Sequence, residues 1–195
     1  MASSIEIDHE AKNYLPGEIG VWVFILGDMM MFALLFIVFI YYRGQDVSLF
    51  SASQTTLNQA YGAFNTLLML SSSWFVALAI HSARKNLGTM GARFFVLAFS
   101  CGLAFVVVKI FEYGENFRAG ITITTNDFYM YYFMLTGIHL IHVLIGLGVL
   151  TFLWSTSRSA VLDERDIGVL ESGACFWHMV DILWIVLFAL FYLMR

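Results

Sequence analysis

The sequence predicts an all-α integral membrane bundle of five transmembrane helices, and three observations predict it. Of the residues, 60% are hydrophobic and only 12% are charged, whereas a soluble domain usually carries about 25% charged residues. The apolar residues gather into five stretches, each long enough for a hydrocarbon core of roughly 30 Å, which takes about 20 residues in a helix. A chain in lipid must also satisfy its own backbone hydrogen bonds, which leaves helices or closed barrels. The stretches are too long and too continuously apolar for the tilted strands of a barrel.

The first span is expected over 19–42, after Pro16 and Gly17, where proline can start a helix without breaking it. The second, 60–80, carries Ser71, Ser72 and Ser73 at its middle. The third, 92–111, has Ala98 and Gly102 four apart. The fourth, 128–154, is thinned by Gly137, Gly146 and Gly148, and the fifth covers 174–194. Helices in lipid associate through close packing of small residues, so these positions are expected contact faces. The loops are short and polar, and the run Asp163-Glu164-Arg165-Asp166 is expected to be a solvated loop. One five-helix domain, 19–195, thus follows a segment of 18 residues. That segment holds Glu6, Asp8 and Glu10, unlike the basic start of a cleaved signal peptide.

Orientation follows from the basic residues. With the N-terminus inside, Lys12, Arg84, Lys85, Arg93, Arg158 and Arg165 lie on the inner side. Only Arg43, Arg118 and Arg195 lie outside, so a cytoplasmic N-terminus and an external C-terminus are expected. Aromatic belts would be Trp22, Trp154 and Trp177 at one interface, with Tyr41, Tyr42, Tyr61, Tyr113, Tyr129 and Tyr192 at the other. The net charge of -4 is scattered, so no basic stripe points to nucleic acid. Cys101 and Cys175 both lie in apolar runs, and two isolated thiols make neither a disulfide framework nor a metal site.

Ionisable groups within the spans are the informative residues, because each costs about 2.5–3.5 kcal/mol on insertion scales. Asp28 lies in the first span, Lys109 and Glu112 close the third, His139 and His142 lie in the fourth, and His178 and Asp181 in the fifth. Residues three apart share a helix face, so each pair is expected to turn inward together, with Asp28 accepting a hydrogen bond from an imidazole. Three functions compete for these groups. One is metal or haem ligation by His139, His142 and His178, although His-x-x-His alone is a nonspecific signal. Another is a proton path through Asp28. The third is recognition of lipid headgroups by Arg84, Lys85, His178 and Trp177 near the interfaces. Against all three stands simple polar bonding between helices, worth about 1 kcal/mol per contact. The Lys109–Glu112 pair is expected to snorkel to the interface.

The chain beyond Gly17 resembles subunit III of the haem–copper oxidases. The resemblance rests on Phe-Trp-His-Met-Val-Asp-Ile-Leu-Trp from Phe176 to Trp184 and on Thr-Gly-Ile-His-Leu-Ile-His-Val from Thr136 to Val143. Asn-Thr-Leu-Leu from Asn65 and Glu112-Tyr113 match weaker blocks, and Asp28 stands where many relatives carry a buried Glu or Asp. With five spans instead of seven, the chain is similar to the quinol-oxidase form and to the short E-type accessory protein of nitric oxide reductase. Its opening from Leu15 to Trp22 leans towards the latter. The resemblance implies a non-catalytic subunit in a bacterial inner membrane. It would bind catalytic subunit I and other oxidase subunits, whose haem and copper (or iron) do the redox chemistry. Such a subunit binds phospholipid, no cofactor of its own, and supports proton uptake and complex integrity. Asp28 and His142 would correspond to a buried carboxylate–imidazole contact. The rivals are an accessory factor for nitric oxide reduction and a small proton channel or transporter built on Asp28, His139 and His142. Transporters usually show inverted repeats and broken helices, and neither is visible here.

Overall fold

The computed structural model describes residues 19–85, 87–159 and 162–194. The segment 1–18, and with it Lys12, Pro16 and half of the Leu15–Trp22 opening, lies outside the described residues, as does Arg195. Among the described residues six helices follow one another: α1 (Ile19–Gln45), α2 (Val47–Thr56), α3 (Gln59–Arg84), α4 (Gly88–Arg118), α5 (Asp127–Ser157) and α6 (Glu164–Phe188). A π-helical turn, Ala189–Leu193, continues α6. Among the described residues there is no strand. Five of the helices, all but α2, are long and apolar enough to cross a membrane.

α3, α4, α5 and α6 each pack on the next, and α6 returns to α3, which closes a four-helix ring. α1 lies outside that ring against α6 and α5. Its inward side is narrow. Ile25, Phe32 and Phe39, seven apart, are buried, with Asp28, Leu35 and Phe36 partly buried beside them, while Val23, Leu26, Met30, Leu34 and Ile37 face outward. α6 is the most enclosed span and carries both large central side chains, Trp177 and Trp184.

Glycine makes the room for Trp177. A Cβ on Gly146 would come within 2.6 Å of the Trp177 ring, and one on Gly102 within 2.9 Å. The indole Nε1–H donates to Ser72 Oγ at 3.1 Å, and that hydroxyl donates to the Ala98 carbonyl at 2.8 Å. Gly102, Gly146 and Ala98 are therefore contact positions. Gly137 and Gly148 face open space and make no close helix contact.

The helix ends are built by polar residues that hydropathy ignores. α2 caps one end of the ring. Asp46 starts it by accepting from Leu49 N–H, and Gln54 Nε2 donates to the Leu190 carbonyl in the π-helical turn at 2.8 Å. Asn126 starts α5 by accepting from Tyr129 N–H and donates to Ser53 Oγ on α2. α4 ends in Gly120, whose φ of +76° is open to glycine. There the Ile121 and Gly120 N–H groups return to the Asn116 and Phe117 carbonyls, a Schellman closure. The Asp163–Asp166 run is not a solvated loop. Asp163 is the N-cap of α6 and forms a reciprocal capping box with Asp166.

Candidate functional site

The ionisable residues of the spans do not merge into one network. They divide into separate clusters, each set by where its helix face points. The first joins α1 to the ring. Gly27 and Asp28 interrupt an apolar run, and Asp28 Oδ1 lies 3.1 Å from His142 Nε2 on α5. The other ring nitrogen, Nδ1, faces the Ile138 carbonyl at 2.9 Å. A carbonyl only accepts, so Nδ1 carries a hydrogen. The Nε2–Oδ1 contact then needs one more proton, on the imidazole or on the carboxyl. In both arrangements the pair has no net charge, which suits its place in lipid. Phe32 stands edge-on to the imidazole at 5.4 Å and shields one side. His142 also lines a groove of about 410 Å³ between α1, α5 and α6, with Gly20, Phe24, Ile145 and Phe176 among its walls.

The second cluster lies between α4, α5 and the π-helical turn, and it overturns the expectation of a snorkelling Lys109–Glu112 pair. The two side chains are 1% and 3% exposed. α4 runs nine residues past Lys109, about 13 Å at 1.5 Å per residue, which is beyond a lysine's reach. Lys109 Nζ instead uses all three hydrogens inside the protein. It donates to Glu112 Oε2 at 2.9 Å, Tyr132 OH at 3.0 Å and Tyr192 OH at 3.1 Å. Both phenols donate on to Glu112 Oε1. The ammonium also lies near the Trp184 and Tyr113 rings, 5.2 and 5.3 Å from their centroids. Tyr192 and Tyr129 are thus buried rather than interfacial. Tyr129 bonds to Thr56 of α2, and Tyr113 to Thr136.

His139 and His142, although three apart, have different surroundings. His139 is wholly enclosed, edge-on to Phe105 and tilted over Trp184 at 5.4 Å, with no hydrogen-bond partner on either nitrogen. His178 Nδ1 lies 2.5 Å from Ser73 Oγ of α3, and Asp181 reaches the same serine. The three histidines therefore do not converge. Among the described residues no three His, Cys, Asp or Glu side chains form a group suited to a metal ion.

The lipid-headgroup candidates are dispersed too. Trp177 is 0% exposed, enclosed by its glycine cradle, and presents nothing to lipid, which corrects its placement in an interfacial belt. Arg84 directs Nε and Nη2 to Glu171 Oε1 at 2.9 and 2.7 Å, so its guanidinium already holds a carboxylate. Lys85 is exposed beside it. Glu171, Tyr132 and Tyr192 are the polar residues that sequence reasoning missed. Their partners lie 87, 23 and 83 residues away along the chain, and no local spacing signals them.

A ring of apolar helices long enough to cross a bilayer, with the Lys109–Glu112 pair sealed inside, defines a multi-pass membrane protein. Residues 3–195 match the family described as cytochrome c oxidase subunit III. The chain belongs to that family. It is 25% identical over 193 residues to the cytochrome c oxidase subunit 3 of Thermostichus vulcanus, covering 98% of this chain and 94% of that one. It is 27% identical to the probable cytochrome c oxidase subunit 3 of Mycobacterium tuberculosis, covering 91% and 88% of the two chains. It is also 27% identical to the cytochrome bo(3) ubiquinol oxidase subunit 3 of Buchnera aphidicola subsp. Schizaphis graminum, covering 89% and 92%.

Proposed function

We propose that this chain is the non-catalytic subunit III of a respiratory haem–copper oxidase in a bacterial inner membrane, with its N-terminus cytoplasmic. It packs on the catalytic subunit, whose haem and copper carry the electrons, and holds phospholipid in the groove between α1, α5 and α6. The observation that carries the reading is the Asp28–His142 contact at 3.1 Å, in a chain matched to this family along nearly its whole length. The pair can pass its proton between nitrogen and oxygen without changing net charge. Such a pair, buried beside the catalytic subunit, supports proton uptake by holding a protonatable site at fixed geometry.

Purification in mild detergent should recover the chain with a catalytic subunit of about a dozen helices. In that complex, Asp28→Asn should shorten the time over which turnover is sustained while the haem spectrum stays unchanged. Loss of haem or copper from the variant complex would defeat the reading. Recovery with a nitric oxide reductase instead would move the chain to that branch, and ion movement by the lone protein in liposomes would favour a transporter.

A further inference from the structure

The inside of the four-helix ring is layered, with equivalent residues seven apart on each helix. Ser72, Ala98, Gly146 and Trp177 make one layer, joined by the bonds from Trp177 to Ser72 and from Ser72 to Ala98. Two helical turns along, about 10 Å at 1.5 Å per residue, lie Asn65, Phe105, His139 and Trp184. The Phe105 and His139 rings are 5.7 Å apart, and Trp184 stands 4.7 Å from the first and 5.4 Å from the second. Trp184 Nε1 donates to Thr66 Oγ1, the neighbour of Asn65 in the chain, at 3.1 Å. Seven residues further come Glu112 and Tyr132 of the Lys109 cluster. The two outer layers find their partners within the protein. Lys109 Nζ has all its hydrogens engaged, and Ser72 Oγ both donates and accepts. The middle layer does not. Asn65 and His139 are each 0% exposed, yet Asn65 Oδ1 and Nδ2 and both His139 nitrogens have no hydrogen-bond partner among the described residues. Leaving a buried polar group so costs about 1–3 kcal/mol, and nearly all such groups in proteins are bonded. α3 and α5 stand opposite each other across the ring, and the amide and the imidazole make no bond to each other.

We propose that this middle layer is a binding site for internal water, held by the Asn65 amide and the His139 imidazole. A neutral imidazole offers one donor and one acceptor, and an amide offers both kinds. Water, with two hydrogens and two lone pairs, complements each of them, and buried water characteristically bonds to polar groups that the protein leaves unmatched. A cation fits the layer less well. Both oxygens of Glu112 are already engaged, and among the described residues no three His, Cys, Asp or Glu side chains gather to hold one. Phe105 and Trp184 supply the apolar walls. The site is separate from the Asp28–His142 pair and does not depend on the subunit role proposed above.

X-ray hydroxyl-radical footprinting of the full chain in lipid nanodiscs tests this, because radiolysis of a bound water oxidises the side chains that touch it even where bulk solvent cannot reach. Trp184 and Trp177 form the natural comparison: both are tryptophans of α6, both are 0% exposed, and only Trp184 stands in the layer assigned to water. Mass spectrometry should find Trp184 oxidised severalfold faster than Trp177, with Phe105 oxidised alongside it. In the Asn65→Leu/His139→Phe chain, which keeps the shape of the layer and removes both polar partners, the Trp184 rate should fall to that of Trp177. Equal oxidation of the two tryptophans in the parent chain would overturn the proposal, and that comparison needs no variant to fold. A fast Trp184 rate that survives loss of both polar groups would overturn it too, since solvent would then be entering by opening of the ring.

Discussion

Lys109 and Glu112 illustrate what a charge needs in order to live inside this bundle. Each donor of the ammonium has an acceptor, and both carboxylate oxygens are occupied. Removing one partner leaves the other charge bare, which in a buried pair costs about 3–5 kcal/mol, whereas removing both is nearly neutral. Lys109→Met should therefore lower the unfolding temperature in detergent sharply, and Lys109→Met/Glu112→Gln should recover most of the loss. A double variant no better than the single one would show that the pair does not act as a unit. At this scale the sequence was half legible. The cost of a carboxylate in lipid singled out Asp28, and helix spacing joined Lys109 to Glu112 on one face. The phenols of Tyr132 and Tyr192 were not legible, because tyrosine near a span end signals an interface as readily as a buried donor. A π-helical turn, which re-aims Tyr192 inward, has no sequence signature.

At the scale of the element, hydropathy located the five spans but stopped where the hydrocarbon stops. α4 and α6 run on through Glu115, Asn116 and Arg118 and through Glu164, Arg165 and Asp166, since a helix ends at its caps and not at the bilayer. The Asp163 capping box makes this testable: Asp163→Ala should cost about 1 kcal/mol of stability, read as a lower unfolding temperature, and Asp163→Asn much less. Trp177 was misplaced for a related reason. An indole signals a membrane interface on average, but on α6 the facing positions are Gly102 and Gly146, and only glycine opens a slot deep enough for it. Gly146→Ala adds a single methyl at 2.6 Å from a ring that Gly102 confines on another side. Overpacking of this kind costs about 1–3 kcal/mol. The variant should unfold at lower temperature and shift the tryptophan emission of the folded protein, while Gly148→Ala, which meets nothing, should leave both unchanged.

Across the whole molecule the burial is lopsided. Val23, Leu26, Met30, Leu34, Ile37 and Tyr41 form an outward stripe along α1, at helical intervals of three and four, while Ile25, Phe32 and Phe39 are its buried apolar anchors. Phe64, Leu67 and Trp74 make a similar outward stripe on α3. Apolar exposure by itself is what lipid accepts, so the stripes do not name their neighbour. α1 differs from the ring helices in how it is held. Without a hydrophobic driving force in lipid, its hold rests on packing, on the Asp28–His142 bond and on the bond from Arg43 Nη2 to the Met194 carbonyl at 2.7 Å. A helix so lightly attached gains most from a second protein surface on its free side, and in the proposed complex that surface is the catalytic subunit. A photocrosslinker at Leu34 or Leu67 in native membranes should therefore capture a large membrane protein, whereas one at Ile141, exposed on α5, should capture lipid. Asp28→Asn weakens the bond that sets the rotation of α1, so it should reduce the Leu34 adduct and leave the Leu67 adduct intact. Lipid adducts alone at both positions would mean that these stripes face the bilayer and that the chain docks by another side.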